Sequence, residues 1–183
     1  QLPFCIVIPS YNNVKSKLYL RNLDSIFMQD YQKYPVVYID EIAVEDGAFV
    51  KSYIDENQIP EGRIKIVVNS YSKKALENIY EGVYQHCREG EIIGLIDGDD
   101  SLNGRLVLKL YNAVYHKTRA ALVYSNFLKI SDNARSAFGF GGQVTEGTTD
   151  QTFATVEQHN RYPLHDILPL AVHKDIQIRL MLL

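Results

Sequence analysis

Apolar residues in this chain fall into short β-branched runs that alternate with longer stretches of helical spacing. Residues 4–9 (FCIVIP) form an unbroken apolar run closed by Pro-Ser, which predicts a strand buried on both faces. Between 15 and 29, Leu18, Leu20, Leu23, Ile26 and Phe27 recur at near-helical spacing until Tyr34-Pro35 stops the pattern, which predicts a helix. The alternation then repeats. A strand is predicted at 36–40 (VVYID), a short helix at 49–56 and a strand at 63–68 (RIKIVV). A helix at 74–88 carries a stripe of Leu76, Ile79, Tyr80, Val83, Tyr84 and Cys87, and it is followed by a strand at 91–96 (EIIGLI), a helix at 106–116 and a strand at 121–124. From about 131 the pattern weakens: AFGFGGQVTEGTTDQT, rich in Gly and Thr, reads as a flexible loop, and beyond it only a terminal helix around 175–183 is predicted.

Strands and helices alternating over about 125 residues imply an α/β fold with a doubly wound, mostly parallel sheet, because right-handed crossovers bury parallel strands between two helical layers. At 183 residues there is room for one such unit, so a single domain over 1–183 is expected. The chain opens on a strand after only three residues, as a domain cut from a longer protein would. Ligands of such sheets bind beyond the carboxyl ends of the strands. The segments found there are Pro9-Ser10-Tyr11-Asn12, Asp40-Glu41, Asn69 and Asp97-Gly98-Asp99-Asp100, and all are polar.

Charge and cysteine content narrow the chemistry. Nineteen Lys and Arg against 22 Asp and Glu leave a formal charge of -3, so no overall positive field exists to hold nucleic acid, and any phosphate must be met locally. No apolar stretch approaches the roughly 18–20 residues that span a bilayer, and no basic leader precedes a cleavable apolar segment. Cys5 and Cys87 make no disulfide framework and lack metal-ligand spacing, which favours a reducing, cytoplasmic setting. Thirteen tyrosines without a single Trp read as compositional bias, so any one tyrosine is by default a core or surface residue.

The strongest local signal is IDGDD at 96–100. Three carboxylates within four residues at the end of an apolar strand repel one another, and a divalent cation is the simplest compensation. Carboxylates suit Mg²⁺ or Mn²⁺, which keep waters and recruit phosphate oxygens from a substrate, so the site would grip a diphosphate. Gly98 lets the turn tighten and the backbone approach a ligand. The competing reading is a polar turn in which Asp100 or Ser101 caps the next helix. Asp40-Glu41 belongs to the same sheet edge, where a carboxylate accepts from a nucleobase or ribose, and Tyr11 offers an aromatic face. Lys73 and Lys74 open a helix, where positive charge opposes the dipole; phosphate contact would account for them, and so would a solvated basic pair.

Taken in order, IVIPSYNN at 6–13, VVYIDE at 36–41 and GLIDGDD at 94–100 resemble the family 2 glycosyltransferases of the GT-A fold, over roughly residues 4–125. The resemblance implies a Rossmann-like nucleotide-sugar-binding half at 1–130 and an irregular acceptor-side region at 131–183. It implies a nucleotide-diphosphate sugar donor, usually a uridine diphosphate (UDP) sugar, a glycan, protein or lipid acceptor, and Mn²⁺ or Mg²⁺ held through a D-x-D motif. Carried over by residue, Pro9 and Tyr11 would line the nucleoside pocket and Asp40 with Glu41 would meet the base. Asp97 would contact the ribose or the surroundings of the metal, Asp99 would ligate the metal with Asp100 beside it, and Lys73 or Lys74 would assist the diphosphate. Two departures stand out. Glu41 replaces the second Asp of the family's pair, with one extra residue before Asp46-Gly47, and Asn103-Gly104 stands where a proline often starts the next helix.

The implied mechanism is inverting transfer, in which a carboxylate removes the acceptor proton while that oxygen attacks the anomeric carbon opposite the leaving diphosphate. Candidate bases are Glu146, Asp150, Glu157 and Asp166. QHNRY at 158–162 resembles the Q-x-x-R-W of processive members, and TEG at 145–147 their T-E-D. Two other readings compete: a sugar nucleotidyltransferase, whose glycine-rich loop with Arg after the first strand is missing here, and a catalytically silent GT-A-like binding scaffold.

Overall fold

Seven consecutive buried residues, Phe4–Ser10, form β1 in the interior of a six-stranded sheet. The computed structural model describes residues 1–14, 16–40, 44–118, 121–124, 128–130, 144–146 and 179–182. In chain order the further elements are α1 (Leu18–Phe27), β2 (Val36–Asp40), α2 (Val44–Glu56), β3 (Ile64–Val68), α3 (Lys74–His86), β4 (Ile92–Leu95) and α4 (Val107–Thr118). They are followed by β5 (Leu122–Tyr124), β6 (Leu128–Ile130), β7 (Val144–Glu146) and β8 (Arg179–Leu182). The sheet order is β3-β2-β1-β4-β8-β5, with every pairing parallel, while β6 and β7 form a separate antiparallel pair.

Successive residues of β1 face opposite layers, as the alternation of side chains along a strand requires. Phe4, Ile6 and Ile8 join Tyr38 with Leu23 and Ile26 of α1, Val50 of α2, and Leu108, Tyr111 and Tyr115 of α4 in one core. Cys5 and Val7 join Val37, Ile39, Ile93 and Leu95 with Val83 of α3 in the other. Both faces of the strand are therefore covered, which is why it reads as an unbroken apolar run. Each fully buried aliphatic side chain contributes roughly 1.5–3 kcal/mol. Gly82 lets α3 approach the sheet: a Cβ there would lie 2.6 Å from Ile39 Cδ1 and 3.0 Å from Val7 Cγ1.

Three expectations change. Helix α2 begins at Val44 rather than 49, because Gly47 breaks the apolar pattern; a Cβ there would come within 3.0 Å of Val68 Cγ2, so the glycine serves close packing on β3. In place of a terminal helix around 175–183, Arg179–Leu182 is a strand seated between β4 and β5, in register with Ile92–Leu95 on one side and with Leu122–Tyr124 on the other. A short apolar run suits either state, and tertiary pairing decides it. Within the segment expected to be a loop, Val144–Glu146 pairs with Leu128–Ile130.

The cysteines also differ from expectation. Cys5 and Cys87 form a disulfide across a sequence separation of 82, tying β1 to the residue that follows α3. This bond removes the ground for a reducing, cytoplasmic setting. Among the described residues, no helix is long and apolar enough to cross a membrane.

The tyrosines have structural work. Tyr31 donates its hydroxyl to the Leu2 carbonyl at 2.6 Å, Tyr34 to the Ile26 carbonyl at 3.0 Å and Tyr53 to Asp24 Oδ1 at 2.7 Å, each with its ring buried. They fill the core while Tyr34 and Tyr53 tie α1 to its neighbours and Tyr31 holds the segment before β1, as suits a ring with one polar end.

Candidate functional site

From β1 the chain continues to β2 on one side of the sheet, and β4 lies on the other, so the carboxyl ends of β1 and β4 flank the point where strand order reverses. Ser10 is in register with Asp40, and Asp40 with Val68. Backbone hydrogen bonds extend the rows past the strands: Asn69 N–H donates to the Asp40 carbonyl at 3.0 Å, and Gly98 N–H to the Pro9 carbonyl at 3.0 Å. The four polar segments therefore meet at one edge.

That edge has a buried floor and an exposed rim. Pro9 and Asp40 are buried, Asp40 to 1% exposure, whereas Tyr11 is 65% exposed. Ser10 Oγ and the Tyr38 hydroxyl share a hydrogen bond at 2.7 Å, and Asn13 Nδ2 donates to Ser10 Oγ at 3.1 Å. Asn69 Nδ2 donates to Asn78 Oδ1 at 2.6 Å in a buried pair that fixes the first half of α3 to the end of β3.

The acidic turn sits on this floor. Asp97, Asp99 and Asp100 are exposed, and none of their carboxylates has a basic partner within 4.0 Å among the described residues. Partial desolvation, and then the neighbouring Asp99 charge, holds the Asp97 carboxyl above the usual carboxylate range. Asp100 is raised by desolvation and by Asp99 and Asp97, against a smaller opposing effect of Arg21. The capping alternative does not hold, since α4 starts only at Val107; instead Asp100 N–H closes a turn on the Asp97 carbonyl at 3.0 Å.

These carboxylates fit a hard divalent cation. They are oxygen donors, clustered, mutually repelling and without an ion-pair partner within 4.0 Å among the described residues. They do not converge as a set of three; among the described residues only Cys5, Cys87 and Glu91 do so, and there the sulfurs are spent on each other. One or two carboxylates, the rest of the shell being water and phosphate, is the usual provision for Mg²⁺.

The lysines separate. Lys73 Nζ pairs with Glu81 Oε2 at 2.6 Å, with its side chain 15% exposed, so an ion pair between the residue preceding α3 and Glu81 of α3 accounts for its charge. Lys74 is exposed, with φ 65° at the helix start. Glu41, Asp150, Glu157 and Asp166 lie outside the described residues, and Glu146 is placed only by its backbone, in β7.

The sequence reading missed the polar face of α1. Arg21 reaches the Asp99 carbonyl at 3.4 Å, and Asn22 Nδ2 donates to the carbonyls of Asp97 and Asp100 at 3.0 and 2.9 Å. Ser25 Oγ accepts from Leu102 N–H, and Gln29 donates to the Gly104 carbonyl and accepts from Leu108 N–H. Asn22, Ser25 and Gln29 are spaced i, i+3, i+7, which is core spacing occupied by polar residues; that pattern was the available signal.

Comparison with known proteins bears on this arrangement. The family model "Glycosyl transferase family 2" matches residues 5–156. Among solved structures, the mannosyltransferase PcManGT from Pyrobaculum calidifontis, in complex with GDP-Man and Mn²⁺, is 21% identical, with a TM-score of 0.57 over 70% of this chain and 36% of that one. TarS of S. aureus (residues 1–349) is 20% identical, with a TM-score of 0.55 over 68% of this chain and 35% of TarS, and it is also known in complex with UDP and with UDP-GlcNAc. GalNAc-T7 with UDP, GalNAc and Mn²⁺ is 16% identical, with a TM-score of 0.52 over 67% of this chain and 22% of that one. The chain thus spans about a third or less of the length of these structures. No curated protein matches it significantly.

Proposed function

This chain belongs to glycosyl transferase family 2, and on that premise we propose that it moves a sugar from a nucleotide-diphosphate donor, a UDP-sugar, to a hydroxyl of a glycan, protein or lipid acceptor with inversion. The observation that carries the reading is the acidic turn 97–100, placed at the switch point of the sheet with no ion pair to its carboxylates within 4.0 Å among the described residues. Structures of like fold bound to UDP, UDP-GlcNAc or GDP-Man support a nucleotide-sugar donor, and two of them contain Mn²⁺.

In this reading the nucleoside stacks on Tyr11, over a floor of Pro9 and Asp40, and Glu41 accepts from the base. Asp99 with Asp97 or Asp100 holds Mn²⁺ or Mg²⁺, which when bound offsets the charge growing on the leaving diphosphate. Lys74, exposed at the start of α3, would assist the diphosphate. The acceptor proton goes to a carboxylate from Glu146, Asp150, Glu157 or Asp166, freeing the oxygen to attack opposite the leaving group.

A thermal-shift series with UDP and UDP-sugars, with and without Mn²⁺, tests the assignment. UDP should stabilise the chain only when metal is present, and Asp99→Ala should abolish that gain. Stabilisation that ignores metal and survives the substitution would overturn it. Slow metal-dependent donor hydrolysis separates a transferase from a silent scaffold.

A further inference from the structure

We propose that Asn22 is a positioning residue for the cation site: its amide holds the acidic turn in the shape that presents one or two of the carboxylates of 97–100 to an ion. The inference rests on the metal reading above. Three like charges in four residues push one another apart, and a free turn would open to separate them. Asn22 opposes this from beneath. It is wholly buried, and both hydrogens of its amide serve the turn, one to the Asp97 carbonyl at 3.0 Å and one to the Asp100 carbonyl at 2.9 Å. With Arg21 on the Asp99 carbonyl, the peptide oxygens of all three acids are anchored on α1. Conformational freedom is thereby left to the side chains.

The chemistry of the position is specific. Only a side-chain amide of this length supplies two donors and no charge. Asn22 Oδ1 meanwhile has no partner among the described residues. A position serving packing alone would favour an apolar residue over a buried acceptor left unmatched, whereas both amide donors of Asn22 are committed to the turn.

The test compares wild type, Asn22→Leu and a control, Asn112→Leu. The control removes a different amide oxygen, one that accepts from Leu2 N–H and lies 2.9 Å from the Tyr31 hydroxyl oxygen. Two quantities are read: Mn²⁺ affinity in the presence of UDP, from the electron paramagnetic resonance of free Mn²⁺, and hydrogen exchange at the Gly98 and Asp100 amides in metal-free protein. Asn22→Leu should weaken Mn²⁺ about tenfold or more, as loss of a ligand-orienting partner does, and should speed both exchanges. The control should lower the melting temperature and leave both readings unchanged. Unchanged exchange, or Mn²⁺ affinity within about twofold of wild type, would overturn the role of Asn22. Absence of Mn²⁺ binding by wild type would instead overturn the metal reading, and this inference with it. Should Asn22→Leu not fold, Asn22→Ser, which keeps one donor, carries the same comparison with a smaller expected loss.

Discussion

Gly98 is hydrogen-bonded to Pro9 through its N–H at 3.0 Å, so the acidic turn is stitched to the end of β1 rather than merely lying near it. The fit is tight. A Cβ on Gly98 would lie 2.7 Å from Asn13 Nδ2, 2.8 Å from Ser10 Oγ and 2.9 Å from Ser10 Cβ.

Gly98→Ala should therefore force the turn away from β1. Ser10 Cβ is fixed by a buried strand and has no room to yield, so we expect a loss of about 1–3 kcal/mol in urea unfolding, typical of overpacking. Metal-dependent stabilisation by UDP should weaken as well, because the turn shifts as a unit. Unfolding and UDP response matching wild type would show that the contact yields freely.

Breaking the Cys5–Cys87 bond should destabilise the domain. It closes a loop spanning 82 residues, and removal of such a bond costs about 2–5 kcal/mol. Thiol titration of denatured, unreduced protein should find no free thiol, and reductant should lower the melting temperature. The Cys5→Ala/Cys87→Ala pair should match the reduced wild type and gain nothing further from reductant.

Lys73→Ala and Glu81→Ala should behave alike. Each removes one half of the same ion pair, whose hydrogen bond to Glu81 also raises the Lys73 pKa. Neither should alter UDP affinity measured by calorimetry, whereas Lys74→Ala should weaken it. A selective loss with Lys73→Ala would return the diphosphate role to Lys73.

Alkaline titration should expose the buried tyrosines. Burial pushes the Tyr31 hydroxyl up to about 12 despite its bond to the Leu2 carbonyl, and burial also raises Tyr34 and Tyr53. A folded-state value above the unfolded one means that the native state holds the proton more tightly. The stabilisation is thus complete below the ordinary tyrosine range near 10 and is lost as pH rises through the folded-state values. Tyr31→Phe should lessen the slope of stability against pH between about 10 and 12, followed by absorbance of tyrosinate during unfolding.

Much of this was legible along the chain. The run FCIVIP identifies a strand covered on both faces, since only such a strand tolerates apolar residues at every position, and β1 is that strand. The placement of Pro9, Asp40, Asn69 and Asp97 at one edge follows from the alternation of strands and helices, because parallel crossovers bring successive carboxyl ends to the same side. IDGDD is a local pattern whose repulsion is evident from spacing alone.

Other features depend on partners remote in sequence. Residues 179–182 are apolar enough for helix or strand, and pairing with β4 and β5 selects the strand. Cys5 and Cys87 meet because α3 packs back on β1, and Asn22 earns its place through carbonyls some 75 residues later. Periodicity along a chain reports which face of an element is buried, and so the alternating elements from β1 to β5 and the carboxyl edge were determined by sequence. Which atoms meet there, and hence the disulfide, the Lys73–Glu81 pair and the anchoring of the acidic turn, was decided only when the sheet closed, because hydrogen bonds and contacts depend on distances that sequence separation does not encode.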